Sequence, residues 1–413
     1  NKSNTIMIKQ EKDIFMDGFT IRKRKIQTIT LLVVSAIILS ACSFFSDGGT
    51  SGDISHTSRS SELSEPKTEV SGSADNVSLE DEKSTVSESA NSITSEAEES
   101  TVSETSSRPP VSEYSQPEVS YDDDDVYISN GIIVVGTRAM EQYGGGVKNA
   151  AAYAGYINDF KAALGDGVNV YSMPIPIASA FYAPAEYNAS VNNHIKTFDS
   201  LRNNLTPDVK DVNLLTALAP HTEEPLYART DFHWNALGAY YAAQEFANVA
   251  GLPFTDLSGF TQDSFSGYVG SLRKNVPALS NYPEEFIWYV PNQQYTVKYY
   301  DRATFSRVAK DNNSLFFSGN SYSKFIGGDS YCVRIDTSIG NGRKLLYFKE
   351  SYGNALAPFL ISSFEQINIV DIRYFDFNIR DFIEQNGITD VCFSLSAFSI
   401  VGGSGKRVQY MDN

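Results

Sequence analysis

Two segments of the sequence carry residue types that suit nucleophilic catalysis, and the first contains an Asp and a His. Asp231 and His233 stand two positions apart, just before a predicted helix. On an extended chain such residues project to the same side, so the carboxylate could orient the imidazole as a general base. The alternative is an Asp that caps the helix beside a partly exposed His, and spacing alone favours that alternative.

The second segment centres on Ser351, which follows a predicted buried strand and precedes a predicted helix. In an α/β sheet this position lies at the carboxyl edge, where the helix N-terminus directs free N–H groups toward it. Such surroundings suit a nucleophile whose attack creates an oxyanion. The alternative is a plain N-cap, which is favoured for a serine without a partner His.

Three further segments resemble functional motifs less well. Ser330 completes a literal Gly-Asp-Ser, but it precedes a predicted strand and so lacks a helix N-terminus. Residues 402–406 hint at a phosphate loop, yet Ile400 occupies a required glycine position and Arg407 replaces Ser or Thr. The acidic run 122–125 is interpreted as a solvated chain segment.

The histidines and cysteines argue against a metal centre. None of the four histidines forms a metal-ligand spacing with another His or a Cys, so neither a metal nor another cofactor is expected. Besides Cys42, only Cys332 and Cys392 occur, both in apolar strand-like runs. They are either buried free thiols or the two halves of one disulfide.

Together the Asp-x-His-Trp at 231–234 and the downstream strand–Ser–helix block resemble the family named for its Asp-His-His-Trp motif. That family is related to the alginate O-acetylation proteins of the SGNH-hydrolase superfamily. The resemblance spans essentially all of residues 126–413. The sequence departs from it at Phe232, which replaces the family's first His, whereas the His next to Trp is kept as His233.

The resemblance implies a triad of Ser351 as nucleophile, His233 as base and Asp231 as orienting acid, in an order permuted relative to ordinary SGNH enzymes. The superfamily's usual Gly and Asn oxyanion residues have no clean match. The N–H groups of Ser351 and Gly353 are therefore expected to share that task. The substrate or oxyanion candidates are Trp234, Gly353, Arg373 and Tyr374.

Strand-like and helix-like segments alternate on both sides of a β-rich region. Predicted strands cover 131–136, 168–173 (ended by Pro174), 344–348, 367–372 and 390–395, and predicted helices cover 147–164, 190–201, 236–249, 354–364 and 376–385. This alternation predicts an α/β fold with a mostly parallel sheet flanked by helices, in a flavodoxin-like three-layer arrangement that the resemblance makes permuted SGNH-like. Residues 251–340 are rich in Phe, Tyr, Ser and Gly and are interpreted as a β-rich insertion.

The N-terminal region is typical of an exported lipoprotein. The basic run 22–25, an apolar stretch too short for a membrane span and Leu-Ser-Ala-Cys at 39–42 describe a signal peptide that resembles a bacterial lipobox. Cys42 is the expected lipidation site, and Met16 is a plausible start. An uncleaved anchor helix is the alternative, and either way the rest of the chain is expected outside the cytoplasm, on the membrane of a Gram-positive bacterium.

Residues 43–125 are predicted to be a disordered Ser/Glu-rich stalk because they offer little apolar surface to bury. They contain 20 acidic and 4 basic residues, whereas residues 126–413 contain 27 acidic and 22 basic ones. The low pI therefore belongs to the stalk, and nothing in the charge favours nucleic-acid binding.

These features favour an extracytoplasmic O-acyltransferase, in its expected form an O-acetyltransferase, that acts on a cell-wall or extracellular polysaccharide through an acyl-enzyme. Since acetyl-CoA is absent outside the cell, the resemblance implies a membrane-bound O-acyltransferase as the acetyl supplier. One alternative is a carbohydrate esterase, which uses water as acceptor. Another is an inactive polysaccharide-binding or assembly lipoprotein, for which the 24 Tyr and 25 Phe could supply stacking surfaces.

Overall fold

The fold is built on an eight-stranded sheet, and four neighbouring strands of this sheet are buried along nearly their whole length. The computed structural model describes residues 114–117, 121 and 126–411; the predicted signal peptide, Cys42 and most of the stalk lie outside them. Successive side chains of a strand point to opposite faces, so burial along a whole strand means that both faces are covered. An α/β domain with a helix-flanked sheet follows, as the sequence predicted.

The described strands number thirteen. They are β1 (Val126–Ser129), β2 (Ile132–Val135), β3 (Arg138–Glu141), β4 (Asn169–Ile175), β5 (Val209–Asp211), β6 (Phe260–Tyr268), β7 (Glu284–Pro291), β8 (Tyr295–Tyr300), β9 (Val308–Lys310), β10 (Cys332–Thr337), β11 (Lys344–Lys349), β12 (Gln366–Asp371) and β13 (Asp390–Ser396).

The described α-helices number nine, several of them a single turn long. They are α1 (Val147–Leu164), α2 (Ser179–Tyr182), α3 (Ala189–Asn204), α4 (Leu214–Leu218), α5 (Ala236–Ala250), α6 (Gly353–Leu356), α7 (Ile379–Asn386), α8 (Ala397–Val401) and α9 (Gly403–Lys406).

The large sheet has the order β5-β4-β13-β11-β12-β10-β8-β9. Pairing is parallel from β5 to β12 and antiparallel from β12 through β10 and β8 to β9. Five parallel strands therefore present their carboxyl ends at one edge, which is where sites in such sheets lie.

The β-rich region 251–340 contributes strands to two sheets. Three of its strands (β8, β9 and β10) extend the large sheet, whereas β6 and β7 form a separate antiparallel pair. The apolar run at 131–136 also lies outside the large sheet, because β2 is the middle strand of the antiparallel β1-β2-β3 sheet. All four residues of β2 are buried, as its composition predicted.

Prolines account for two of the predicted element ends that differ from the structure. Strand β4 continues through Pro174, because β5 pairs only as far as Ser172 and leaves that edge open. The predicted helix 354–364 is instead the short α6 followed by a 3-10 helix, Ala357–Ser362. Pro358 lacks the N–H that would bond the Asn354 carbonyl in a continuing α-helix.

The end of the predicted stalk packs against the domain. The hydroxyl of Tyr114 donates to the Ala180 carbonyl at 2.8 Å, and that of Tyr121 donates to the Tyr182 carbonyl at 2.6 Å. Tyr114 is buried. The boundary at residue 125 is therefore too late, because isolated aromatic residues in a polar segment gave no periodic signal.

Cys332 and Cys392 are buried free thiols, which decides between the two predicted alternatives. Within the described part of the chain, no helix is both long enough and apolar enough to cross a membrane.

Candidate active site

The carboxyl edge of the parallel strands brings together residues that the sequence predicted for the site and one further residue, Ser396. Ser351 follows β11 by two residues, Arg373 follows β12 by two, and Ser396 ends β13. The Asp231 segment reaches the same edge from the loop before α5, although 118 positions separate His233 from Ser351.

Asp231, His233 and Ser351 form a continuous hydrogen-bonded row. The Nδ1 atom of His233 lies 2.7 Å from Oδ1 of Asp231, and its Nε2 atom lies 2.8 Å from Oγ of Ser351. A carboxylate only accepts hydrogen bonds, so Nδ1 carries the ring proton and Nε2 is left as the acceptor for the serine hydroxyl. This is the arrangement that a general base and its nucleophile require.

Asp231 is held in its charged form. Burial opposes ionisation, but hydrogen bonds from His233 and from the Ser271 N–H (2.6 Å) outweigh it and hold the pKa of Asp231 below its usual range. Burial, followed by the charge of Asp231, raises the pKa of Tyr268, which therefore stays a neutral phenol at this site. The acid of the row is thus an anion that orients the imidazole.

Three separate elements fix the backbone around Asp231. The Ala139 N–H of β3 donates to the Arg229 carbonyl at 2.8 Å. Glu284 of β7 accepts from the Thr230 N–H at 3.0 Å and from its hydroxyl at 2.7 Å. The Gly270 N–H in turn donates to the Thr230 hydroxyl at 2.9 Å. The β-rich region therefore positions the acid of the row.

Gly270 is required by this close packing. A Cβ atom at Gly270 would lie 2.5 Å from the Thr230 carbonyl oxygen and closer still to the Cβ of Asp231. Real Cβ atoms do not approach other atoms so closely, so any larger residue would displace the acid.

Aromatic side chains surround the imidazole. Tyr322 stacks on the His233 ring with centroids 3.8 Å apart and planes 6° apart. Trp234 is only 1% exposed, and its indole N–H donates to the Tyr352 carbonyl at 2.9 Å. The prediction of Trp234 as a substrate or oxyanion candidate is wrong, because the side chain is buried and fixes the backbone next to Ser351.

The two amides predicted to bind the oxyanion differ in the hydrogen bonds that they make. The Gly353 N–H already donates to the Glu350 carbonyl at 3.0 Å in the turn around Ser351, so it is not free to bind an oxyanion. Among the described residues no group accepts a hydrogen bond from the Ser351 N–H. The Ser351 amide is therefore free to bind an oxyanion. Helix α6 has only four residues, so its dipole stabilises an oxyanion less than the longer predicted helix would.

Arg373 is committed to carboxylates. Its guanidinium donates to both oxygens of Asp371, at 2.8 and 2.6 Å, and pairs with Asp329 at 2.6 Å. The ammonium of Lys349, fully buried, pairs with the same two carboxylates at 3.2 and 3.3 Å. The guanidinium of Arg302 lies over the ring of Tyr374, 3.9 Å from the centroid of that ring. These contacts brace the strand ends beside Ser351.

Two glutamates belong to the site and were missed. Glu350 is 5% exposed, and its Oε2 lies 3.1 Å from Oγ of Ser351. Burial raises the pKa of Glu141 to about 7, and the charges of Asp231 and Glu350 add to the increase. Glu350 adjoins the serine in sequence and could have been considered. Glu141 lies at the end of β3, and no pattern in the sequence marked it as a site residue.

A cleft of about 320 Å³ opens beside the imidazole. Its lining combines the Asp231 segment, the loop after β6 and the loop before β10: Asp231, Phe232, His233, Tyr268, Val269, Gly270, Ser271, Arg273, Lys274, Asn320, Ser321, Tyr322 and Ser323. The four most exposed aromatic side chains of the described residues, Tyr127, Tyr282, Phe398 and Tyr410, do not line it. Most aromatic residues are core, so their abundance is not by itself a binding surface.

Ser330, the other serine that the sequence singled out, forms no hydrogen bond with Asp231, His233 or Ser351. Ser330 is exposed, and no described histidine bonds to it. Its neighbour Asp329 instead accepts from the Asn354 side chain at 3.0 Å. Within the described residues no cluster of His, Cys, Asp or Glu could hold a metal ion.

The fold and the site define an α/β protein with an Asp-His-Ser row at the carboxyl edge of a mostly parallel sheet. The chain belongs to the DHHW protein family, whose model matches residues 123–370. A DHHW family protein from Eubacterium siraeum has a similar crystal structure, with 40% sequence identity and a TM-score of 0.65. The match covers 69% of this chain and 97% of that one.

PatB1 from Bacillus cereus, solved with a sulfonyl adduct, has a similar fold at 20% identity and a TM-score of 0.54. That match covers 70% of this chain and 99% of PatB1. At this identity the likeness concerns the fold alone. No curated protein matches the chain significantly in sequence.

Proposed function

We propose that the chain is an extracytoplasmic O-acyltransferase, and more specifically an O-acetyltransferase, that acts on a cell-wall or extracellular polysaccharide. The observation that carries the proposal is the contact of 2.8 Å between Nε2 of His233 and Oγ of Ser351, with Nδ1 held by Asp231. A serine so placed can lose its proton to the imidazole as it attacks a carbonyl carbon.

In the first half-reaction, Oγ of Ser351 attacks the acyl carbonyl of the donor and its proton passes to Nε2 of His233. The carbonyl oxygen becomes an oxyanion, which the free N–H of Ser351 stabilises. The imidazolium then protonates the leaving group as the bond to it breaks. An acyl ester on Ser351 remains, and Asp231 stabilises the transient positive charge of the ring.

In the second half-reaction, the same imidazole takes the proton of a sugar hydroxyl, whose oxygen attacks the acyl ester. The bond between Oγ and the carbonyl carbon breaks, and the proton of His233 returns to Oγ. The cleft beside His233, with its aromatic and hydroxyl-bearing lining, is where we place the sugar.

The N-terminal region fits the same proposal. A lipid on Cys42 would tether the chain to the outer face of the membrane, close to a membrane-bound O-acyltransferase that supplies acetyl groups. If residues 43–113 form a flexible stalk, these roughly 70 residues would give a root-mean-square reach of about 45 Å. Such a tether lets the domain meet both its acyl supplier and wall polymers.

The test is transfer from an aryl acetate to fragments of wall polysaccharide, with the full chain as catalyst. We expect O-acetylated oligosaccharide from the wild type and from Ser330→Ala, and none from Ser351→Ala. Ser330 is the matched control because it completes the Gly-Asp-Ser segment, is exposed and bonds no described histidine. Release of free acetate alone, dependent on Ser351, would instead indicate the carbohydrate esterase. Binding of oligosaccharide without any turnover would indicate the inactive binding protein.

A further inference from the structure

The side chain of Glu350 is aimed at the nucleophile and held there. Its Oε2 accepts from the Ser351 hydroxyl at 3.1 Å, and its Oε1 accepts from the Ser396 N–H at 3.1 Å. Glu350 is 5% exposed and forms no salt bridge within the described part of the chain. Lys349, the nearest cation in sequence, is bound to Asp329 and Asp371 instead.

The hydroxyl of Ser351 has one proton but two acceptors, because Nε2 of His233 lies 2.8 Å from the same oxygen. In an acyl-enzyme that oxygen is part of an ester and carries no proton. The acceptor that held that proton then loses its donor, and the ester oxygen can donate to neither acceptor. A buried carboxylate oxygen without a donor costs about 1–3 kcal/mol or more, so this state favours an incoming molecule with two donors.

We propose that Glu350 binds a second hydroxyl of the acceptor, adjacent to the hydroxyl that His233 deprotonates. The inference rests on the proposed function and names the acceptor class as a carbohydrate with two neighbouring free hydroxyls. The two acceptor atoms contact one common oxygen, so they lie within reach of hydroxyls on adjacent carbons. Glu350 therefore acts as a specificity residue of the second half-reaction.

One hydroxyl gives its proton to Nε2 of His233 while its oxygen attacks the carbonyl carbon of the acyl ester. The bond from that carbon to Oγ of Ser351 then breaks, and the imidazolium returns the proton to Oγ. The second hydroxyl only donates a hydrogen bond to Oε2 of Glu350 and keeps its proton. A negative carboxylate would repel a developing oxyanion, which is why Glu350 suits a donor rather than the carbonyl oxygen.

The experiment compares two alcohols as acceptors of the acetyl group from 4-nitrophenyl acetate, with the full chain as catalyst. Propane-1,2-diol has neighbouring hydroxyls and propan-1-ol has one. We expect the wild type to favour the diol by on the order of 10- to 100-fold, which corresponds to one hydrogen bond to a charged group. Comparable transfer to both alcohols by the wild type would overturn the inference.

The informative variant is Glu350→Leu, because leucine fills the space of the carboxylate and offers no group to which a hydroxyl could donate or from which it could accept a hydrogen bond. We expect the diol preference to collapse whatever the overall rate, and a preserved preference would overturn the inference. Glu285→Leu is the matched control, since Glu285 is exposed and bonds only Ser264 among the described residues. If the wild type preferred 2-aminoethanol to propane-1,2-diol, the inference would also be overturned, because Glu350 would then bind an ammonium group and not a hydroxyl.

The two proposals fail in different ways. If the wild type releases no more 4-nitrophenolate than Ser351→Ala does, no acyl-enzyme forms on Ser351 and the proposed function itself fails. If the release depends on Ser351 but the diol has no advantage, only the role of Glu350 is refuted.

Discussion

The ring of Tyr322 stacks face to face on the imidazole of His233, with centroids 3.8 Å apart. The imidazole has little freedom to rotate, because Tyr322 packs against its face while Asp231 and Ser351 hold its two nitrogens by hydrogen bonds. Stacked aromatic pairs contribute about 0.5–1.5 kcal/mol beyond their buried area. Tyr322 is therefore expected to position the base.

Replacing Tyr322 by leucine should lower kcat for 4-nitrophenyl acetate by roughly 10- to 100-fold, because small misplacements of a catalytic group have effects of that size. Tyr322→Phe keeps the ring and loses only the hydroxyl bond of 3.2 Å to the Tyr352 carbonyl. It should retain most of the activity. Equal losses in the two variants would show that stacking does not position His233.

Asp231→Asn should reduce kcat by about 10⁴-fold while leaving the fold intact. An amide cannot enforce the tautomer with the proton on Nδ1, nor stabilise the imidazolium. The control is Asp263→Asn, because Asp263 is exposed on β6 and caps only the next amide. A loss of less than tenfold in Asp231→Asn would mean that the imidazole works without its carboxylate.

Gly270→Ala should abolish most activity, since the added carbon collides with Asp231 and the Thr230 carbonyl. Gly155→Ala in α1 is the matched control, because its Cβ would meet nothing within 4 Å. Alanine stabilises a helix interior by up to about 1 kcal/mol relative to glycine. Activity assays and thermal unfolding of both variants check the prediction, which would be refuted if Gly270→Ala behaved like Gly155→Ala.

Glu141 should make stability depend on pH. Its pKa is raised by burial from 4.5 to about 7 in the folded chain, so the folded state binds the proton more tightly than the unfolded state. The stabilisation is present in full below about pH 4.5 and is lost as pH rises through 7.

Glu141→Gln removes this loss. The difference in free energy of unfolding, Glu141→Gln minus wild type, should increase by about 1–3 kcal/mol from pH 4 to pH 8. Denaturant unfolding at both pH values measures the difference, with the exposed Glu186→Gln as the control. A difference that does not change with pH would show that Glu141 does not titrate in this range.

The parallel core and the row of three residues were accessible from the sequence because both depend on local patterns. The helix predicted at 147–164 has those bounds in the structure, and strands β11 to β13 lie within one or two residues of their predicted ranges. Parallel strands align their carboxyl ends, so placing Ser351 after a strand was sufficient to bring it to the edge that the Asp231 segment reaches.

The rest of the site depends on long-range packing without a local pattern. Tyr322 begins a single turn of 3-10 helix almost 90 positions after His233, and Glu141 comes from a short strand that pairs outside the large sheet. Trp234 was misassigned because its motif position says nothing of burial. The Gly353 amide was misassigned because the turn that occupies it is visible only in coordinates.

Covalent labelling tests the central claim most directly, because a fluorophosphonate reacts with a serine whose proton a neighbouring base can accept. The full chain should gain one adduct, which peptide mass spectrometry should locate on Ser351. Ser330→Ala should still be labelled, and Ser351→Ala should not. Labelling that persists in Ser351→Ala, or an adduct on another serine of the wild type, would contradict the assignment of Ser351 as the nucleophile.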